Sequence, residues 1–157
     1  MADVTIANSP ALTGTTKDVQ AVHEGVNVVP FSWSAAGTTI SASQLLFLAK
    51  IPAGAIITRF SAAGWIGCAG TCGVDVGLNG QASADFIVDG TDISATATAN
   101  MVVRAGALPL TCSMSDDTSP RFRYLQAKFV SAATATTTAI FNGVVEYVMG
   151  KPAVASY

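Results

Sequence analysis

The chain is short of charge. Charged residues make up 11% of its 157 residues, against about 25% in ordinary soluble chains. The formal net charge of −2 leaves no basic excess, so the electrostatic footprint of a nucleic-acid binder is missing and no direct contact with DNA or RNA is expected. Long apolar runs are missing too. A long uncharged stretch, Phe129 to Val145, is diluted by "SAATATTTAIFNG" and lacks the continuous bulk of a spanning helix, so no membrane partner is expected. "MADVTIANSP" has no basic segment followed by an apolar block, which points to synthesis and folding in a cytoplasm.

Catalytic and metal-binding chemistry is equally thin. Histidine occurs once, as His23 in a polar stretch, and no G-x-S-x-G elbow accompanies it, so neither a Ser/His/Asp nor a Cys/His machine is readily assembled. Asp85, Asp89, Asp92, Asp116 and Asp117 stand in turn-like contexts, where aspartate caps and bends the backbone. A pair of acids facing a sugar cleft is not suggested by that spacing. "DGTD" lacks the register of a calcium loop, although loops of a β-sandwich can gather oxygens from separate segments. Cys68 and Cys72 make a C-x3-C, not the C-x2-C of zinc ribbons or redox sites. With Cys112 they read as reduced structural thiols, with a Cys68–Cys72 disulfide in an oxidising medium and a metal site as alternatives. No enzyme activity, cofactor or metal is expected.

What the chain does contain is β-strand. Residues 1–26 are polar and Thr/Ala-rich, with turn chemistry in "NSPALTGTTKD", and read as an extended arm that is either disordered or laid across a neighbouring subunit. From Asn27 to Tyr157 the pattern is that of one domain. "NVVPFSW" is β-branched and aromatic, and Pro30 within it predicts an edge strand or a bulge, because proline cannot donate to a ladder. "QLLFLAKI" is a nearly continuous apolar run with both faces expected to be covered. "PAG" after it predicts a three-residue hairpin loop joining it to "AIITRFSAAGW", whose alternation groups Ile57 with Arg59 and Ser61, and Ile56 with Thr58 and Phe60. "CGVDVGLNGQ" has the cleanest period of two. "ADFIVDGTDIS" reads as a short helix or an irregular strand before an Asp89-Gly90 turn, and "MVVRAGALPL" as a strand with Gly and Pro stops. "RFRYLQAKFV" alternates Phe122, Tyr124, Gln126 and Lys128 against Arg121, Arg123, Leu125, Ala127 and Phe129. "TATTTAIFNGVVEYVM" reads as one long strand in which Gly143 leaves room for a neighbour.

Roughly eight strands and no convincing amphipathic helix predict an all-β fold, a single antiparallel β-sandwich or jelly roll with an extended N-terminal arm. A surface poor in Lys, Glu and Asp suits burial against other subunits, since charges left unpaired in an interface are costly. On that view the candidate interface residues are Lys50, Arg59, Arg121, Arg123 and Trp33.

The Thr/Ala-rich arm, "LAKIPAGAIIT", "VDVGLNG" followed by "ADFIV", and the closing "AIFNGVVEYV" together resemble small virion structural proteins of tailed bacteriophages, of the jelly-roll capsid decoration, cement or head-fibre type. The resemblance covers about Asn27 to Met149. It implies a non-enzymatic virion protein on the capsid exterior, a homo-oligomer and most simply a trimer, that binds the major capsid protein and bridges its subunits against internal genome pressure. It carries no catalytic residues. The rival reading is a carbohydrate- or receptor-binding sandwich of a fibre or tail, with Trp33, Trp65 or Tyr124 as sugar platforms.

Overall fold

The structure is a computed structural model that describes residues 4–5, 25–36, 39–68, 70–80, 85–94, 99–113, 122–134 and 138–149. It is all-β. Seven strands of five residues or more carry it among the described residues: β2 (Val26–Ala36), β4 (Leu45–Pro52), β5 (Ala55–Trp65), β6 (Gly73–Leu78), β7 (Val88–Asp92), β10 (Phe122–Phe129) and β12 (Thr138–Met149). Two-residue strands complete the set: β1 (Val4–Thr5), β3 (Thr39–Ile40), β8 (Ala99–Asn100), β9 (Leu110–Thr111) and β11 (Ala133–Thr134).

The strands form two sheets. The first has the order β1-β4-β10-β6-β7 and the second β2-β12-β5-β8, with β9 also on β5; β3 and β11 make a separate two-stranded ribbon. All pairings in the two sheets are antiparallel except that of β1 on β4. The core lies between the sheets. Leu46, Leu48, Ile51, Val74, Val76, Leu78, Leu125 and Phe129 enter it from one side, and Phe31, Trp33, Ile57, Phe60, Phe141 and Val145 from the other, all buried. This is the sandwich that the alternating apolar faces require, since each sheet hides one face against the other.

β12 organises the second sheet. It runs unbroken through Asn142-Gly143, pairs with β2 from Thr138 to Val148 and with β5 from Ile140 to Met149. Gly143 lies opposite Phe31 on one side and Ala62 on the other. A methyl group added at Gly143 would meet the Phe31 ring at 2.5 Å, the Ala62 methyl at 2.8 Å and the carbonyl oxygen of Ser61. The Phe31 ring crosses this bare backbone and stacks on Phe60 and Phe141, with centroids 6.0 Å away in both cases. β2 is the edge strand that Pro30 predicts.

Four local expectations are corrected. The Pro52–Gly54 turn does not close a hairpin, for β4 and β5 belong to different sheets. It is a corner between them, with Gly54 at φ +81° and its N–H donated to the Cys112 carbonyl at 3.0 Å. The edges that a hairpin would use are taken by β10 on β4 and by β12 on β5. Second, β5 does not alternate strictly. Glu146 pairs with Arg59 but Tyr147 with Ile57, so Thr58 is an extra residue, and Ile57 and Phe60 both enter the core. Third, Asp89-Gly90 lies inside β7, where Gly90 takes φ +62° at a register shift against β6. Fourth, "MVVRAGALPL" is a loop from Met101 to Pro109 between β8 and β9, bent at Gly106 with φ +77°.

Gly143→Ala is expected to lower stability by about 1–3 kcal/mol, the usual penalty for overpacking a filled core, whereas Gly25→Ala, with nothing within 4 Å of the new methyl, should leave the melting temperature almost unchanged. Thermal unfolding of both variants beside the parent chain checks this.

Candidate interaction surfaces

Two bulges decide where the cations go. In β4 the register against β10 jumps from Leu125 paired with Ala49 to Gln126 paired with Phe47, leaving Leu48 as the extra residue. Strict alternation would put Lys50 on the same face as Leu46 and Leu48, in the core. The bulge turns the phase, so Ala49 and Ile51 are buried and Lys50 faces outward beside Tyr124. The Thr58 bulge does the same for Arg59 on the other sheet. The two cations that flank the corner therefore stand on opposite outer faces of the sandwich.

The outer face of the second sheet is nearly free of charge. Val26 and Val28 expose 59% and 57% of their surface, Ser32 donates to Asn142 Oδ1 at 2.8 Å, and Trp65, half-buried, pairs with Ile140. Arg59 bonds Glu146 Oε1 at 3.3 Å. Its side chain is 66% exposed, so the pair contributes under about 1 kcal/mol.

The outer face of the first sheet is aromatic. Phe47 and Tyr124 lie with centroids 4.7 Å apart, Phe122 meets Tyr124 edge-on at 5.3 Å, and the Lys50 ammonium sits 5.0 Å above the Phe122 ring. Gln126 follows Tyr124 on this face, in register with Phe47 on one side and Gly77 on the other. It is 7% exposed, the one buried polar residue among the described residues, and its Oε1 has no hydrogen-bond partner.

The other candidates have internal duties. Trp33 is 9% exposed and packs inward on β2, so its indole is core and offers no open platform. Arg123 donates from Nε to the Ser113 carbonyl and from Nη1 to the Asn79 carbonyl, both at 2.7 Å, tying two loops to the end of β10. Arg121, Asp116, Asp117 and His23 lie outside the described residues. Arg104 bonds Asp85 at 3.4 Å and approaches Asp89 at 3.9 Å. Asp92 accepts the amides of Cys72 at 3.1 Å and Ser94 at 2.9 Å. The Ser94 bonds foremost hold its carboxyl below the usual aspartate range.

The thiols are free, with Cys72 and Cys112 buried and Cys68 half-buried. Burial, then the neighbouring Cys68 and Asp92, push the Cys72 thiol up to about 11. Burial raises Cys112 against the opposing pull of Arg123. The aromatic cluster is what reading the sequence missed. Its signal was present in the outward phase of "RFRYLQAKFV", but the pairing of β10 with β4 that brings Phe47 and Lys50 to it is not local.

No protein-family model matches the chain, and no curated protein matches it. Among solved structures it is similar to a chain of the cyanophage Pam1 capsid asymmetric unit, at 18% identity over 81% of this chain and 88% of that one, with a TM-score of 0.56. It is also similar to a chain of the capsid of Ralstonia phage GP4, at 16% identity over 96% of this chain and 100% of that one, with a TM-score of 0.67. At these identities the likeness is one of fold.

Two outcomes follow. Thiol labelling of the native chain should modify Cys68 first and reach Cys72 and Cys112 only on unfolding; equal rates at all three would contradict the burial. Because the folded carboxyl of Asp92 is held below its unfolded value, its contribution is present above about pH 4 and lost as pH falls through the folded value. Asp92→Ala should therefore melt earlier at neutral pH, with the gap to the parent chain narrowing in acid.

Proposed function

We propose that this chain is a non-enzymatic structural protein of a bacteriophage virion that binds the capsid exterior and stabilises the shell by bridging major capsid subunits. One observation carries the reading: the fold aligns over 96% of this chain with the whole of a chain from the Ralstonia phage GP4 capsid, at a TM-score of 0.67. The match takes in nearly all of both chains, so the aligned units are of comparable size.

Three features support the finer parts. With β8 and β9 taken as one interrupted strand, the chain order distributes as β2-β12-β5-β8/β9 and β4-β10-β6-β7. That interleaving supports a jelly roll built of two Greek keys. Two broad outer faces with little charge suit many shallow contacts repeated over a symmetric lattice, which give avidity without a deep pocket. In this reading Lys50 and Arg59 face partners, while Trp33 and Arg123 hold the sandwich beneath them. Residues 1–26 serve as an arm, residues 27–157 as the sandwich, and the working unit is a homotrimer made in the host cytoplasm. The sugar-binding alternative loses Trp33 to the core and keeps a half-buried Trp65 and a half-buried Tyr124 whose ring already packs on Phe47 and Phe122.

The test is addition of the purified chain to capsid shells assembled without it. Shells should carry the chain down on sedimentation and rupture at a higher temperature than bare shells. A folded chain that stays in the supernatant at every concentration would sink the proposal.

A further inference from the structure

We propose that the outer face of the first sheet is the docking face for an extended, acidic segment of a partner protein in the virion shell, seated along β10 with its carboxylates on Lys50 and Lys128 and a backbone N–H donated to Gln126 Oε1. The proposal rests on the virion reading above and names the face it uses.

Three observations converge on this face. First, Phe122, Tyr124, Gln126 and Lys128 form one outward row along β10, bordered by Leu45, Phe47 and Lys50 of β4. Leu45, Phe47, Phe122 and Tyr124 are all half-buried, an apolar strip that water does not need to cover. Second, Gln126 is more than nine-tenths buried in the middle of that row, with an acceptor oxygen that nothing satisfies. A buried acceptor left open in this way is a standing cost, and because the oxygen itself is closed to solvent, Gln126 turns outward for an incoming donor to relieve it. Third, the lysines at the two ends have no carboxylate partner among the described residues. The ion pairs among those residues belong to Arg59 and Arg104. Asp75, in register with Lys128, spends its Oδ1 on the Gly90 amide at 3.0 Å.

Charge complementarity then fixes the chemistry of the occupant. Among the described residues Lys50 faces no carboxylate and Lys128 only Asp75, which is in register with it but beyond ion-pair distance, so covering the two ammonium groups favours an occupant that brings acids. The backbone of Lys50 stands beside Tyr124 and Lys128 lies four residues further along β10, roughly 13 Å at strand rise, and the Lys50 ammonium leans a further two residues away over Phe122. An extended acidic segment bridges that distance with carboxylates about four to six residues apart and presents backbone donors between them. A glycan fits less well. The Phe122 face is already occupied by Lys50, and the Tyr124 ring is engaged by Phe47 and by Phe122.

The chain's four lysines are Lys17, Lys50, Lys128 and Lys151, which makes amine acetylation read by mass spectrometry a direct footprint. Purified virions and the free chain are acetylated in parallel. Lys50 and Lys128 are expected to react several-fold more slowly in virions than in the free chain. Equal rates with the chain present in virions overturn the docking face and leave the virion reading standing; absence of the chain from virions removes that reading, and this proposal with it. Protection already complete in the free chain, and lost when residues 1–24 are deleted, assigns the face to the chain's own N-terminal segment and also overturns the proposal. In a second measurement, Lys50→Glu combined with Lys128→Glu should fold normally yet fail to enter virions, while Lys50→Arg combined with Lys128→Arg should enter like the parent. Normal incorporation of the doubly acidic variant counts against the proposal.

Discussion

The sandwich depends on one close approach, that of the Phe31 ring to the bare backbone of Gly143. β12 is the strand on which β2 and β5 both assemble, and its register is fixed where a side chain is missing. Because Gly143 and Ala62 leave a trough, the ring from edge strand β2 can cross β12 and stack between Phe141 and Phe60. A one-residue slip of β12 would bring Asn142 or Val144 under the ring and turn Phe141 and Val145 out of the core. The aromatic stack and the hydrogen-bond ladder therefore specify the same register. That agreement between packing and pairing is what singles out one arrangement of a Thr- and Ala-rich sequence with few charges to guide it.

Above that core, placement of function is a matter of strand phase. Lys50 has the parity of Leu46 and Leu48, and Arg59 the parity of Ile57, so an unbroken pleat would drive both cations inward. Each strand avoids this by one extra residue, Leu48 in β4 and Thr58 in β5. The corner at Pro52–Gly54 then sends the two strands to different sheets. The consequence is one cation on each outer face, Arg59 neutralised by Glu146 and Lys50 resting on Phe122. Two bulges and a turn thus convert a symmetrical stretch of sequence into two chemically different surfaces.

Much of this was legible residue by residue. Pro30 marked an edge strand because it lacks a donor, Gly143 marked a close approach because a turn there would have split a long apolar alternation, and "GVDVGL" showed its inward face directly. The errors share a cause. Whether "PAG" closes a hairpin or turns a corner depends on which distant strands claim the edges of β4 and β5, and neither bulge has a local signature strong enough to override alternation. The "MVVRAGALPL" loop misled for a related reason, since Val102 is 74% exposed and its apolar character is not spent on the core. The aromatic face was invisible in the same way: its members come from β4 and β10, which meet only in the fold.

The edges and faces of the sandwich differ in what they can accept. β2 borders the second sheet, and Pro30 in its middle removes a donor from any strand that would extend the ladder there. β1 already occupies the β4 edge of the first sheet. At the far side of that sheet β7 is five residues long and kinked at Gly90, a poor template for a further strand. Growth by edge-to-edge pairing is thereby discouraged at three places, while the two broad faces remain free of such devices. With charge thinned to 11% and edges blunted at three places, the two faces are the broadest surfaces left open to contact. They differ in chemistry: one carries Arg59 paired with Glu146, the other lysines around a ring cluster, and covering the second costs less with acids than without them.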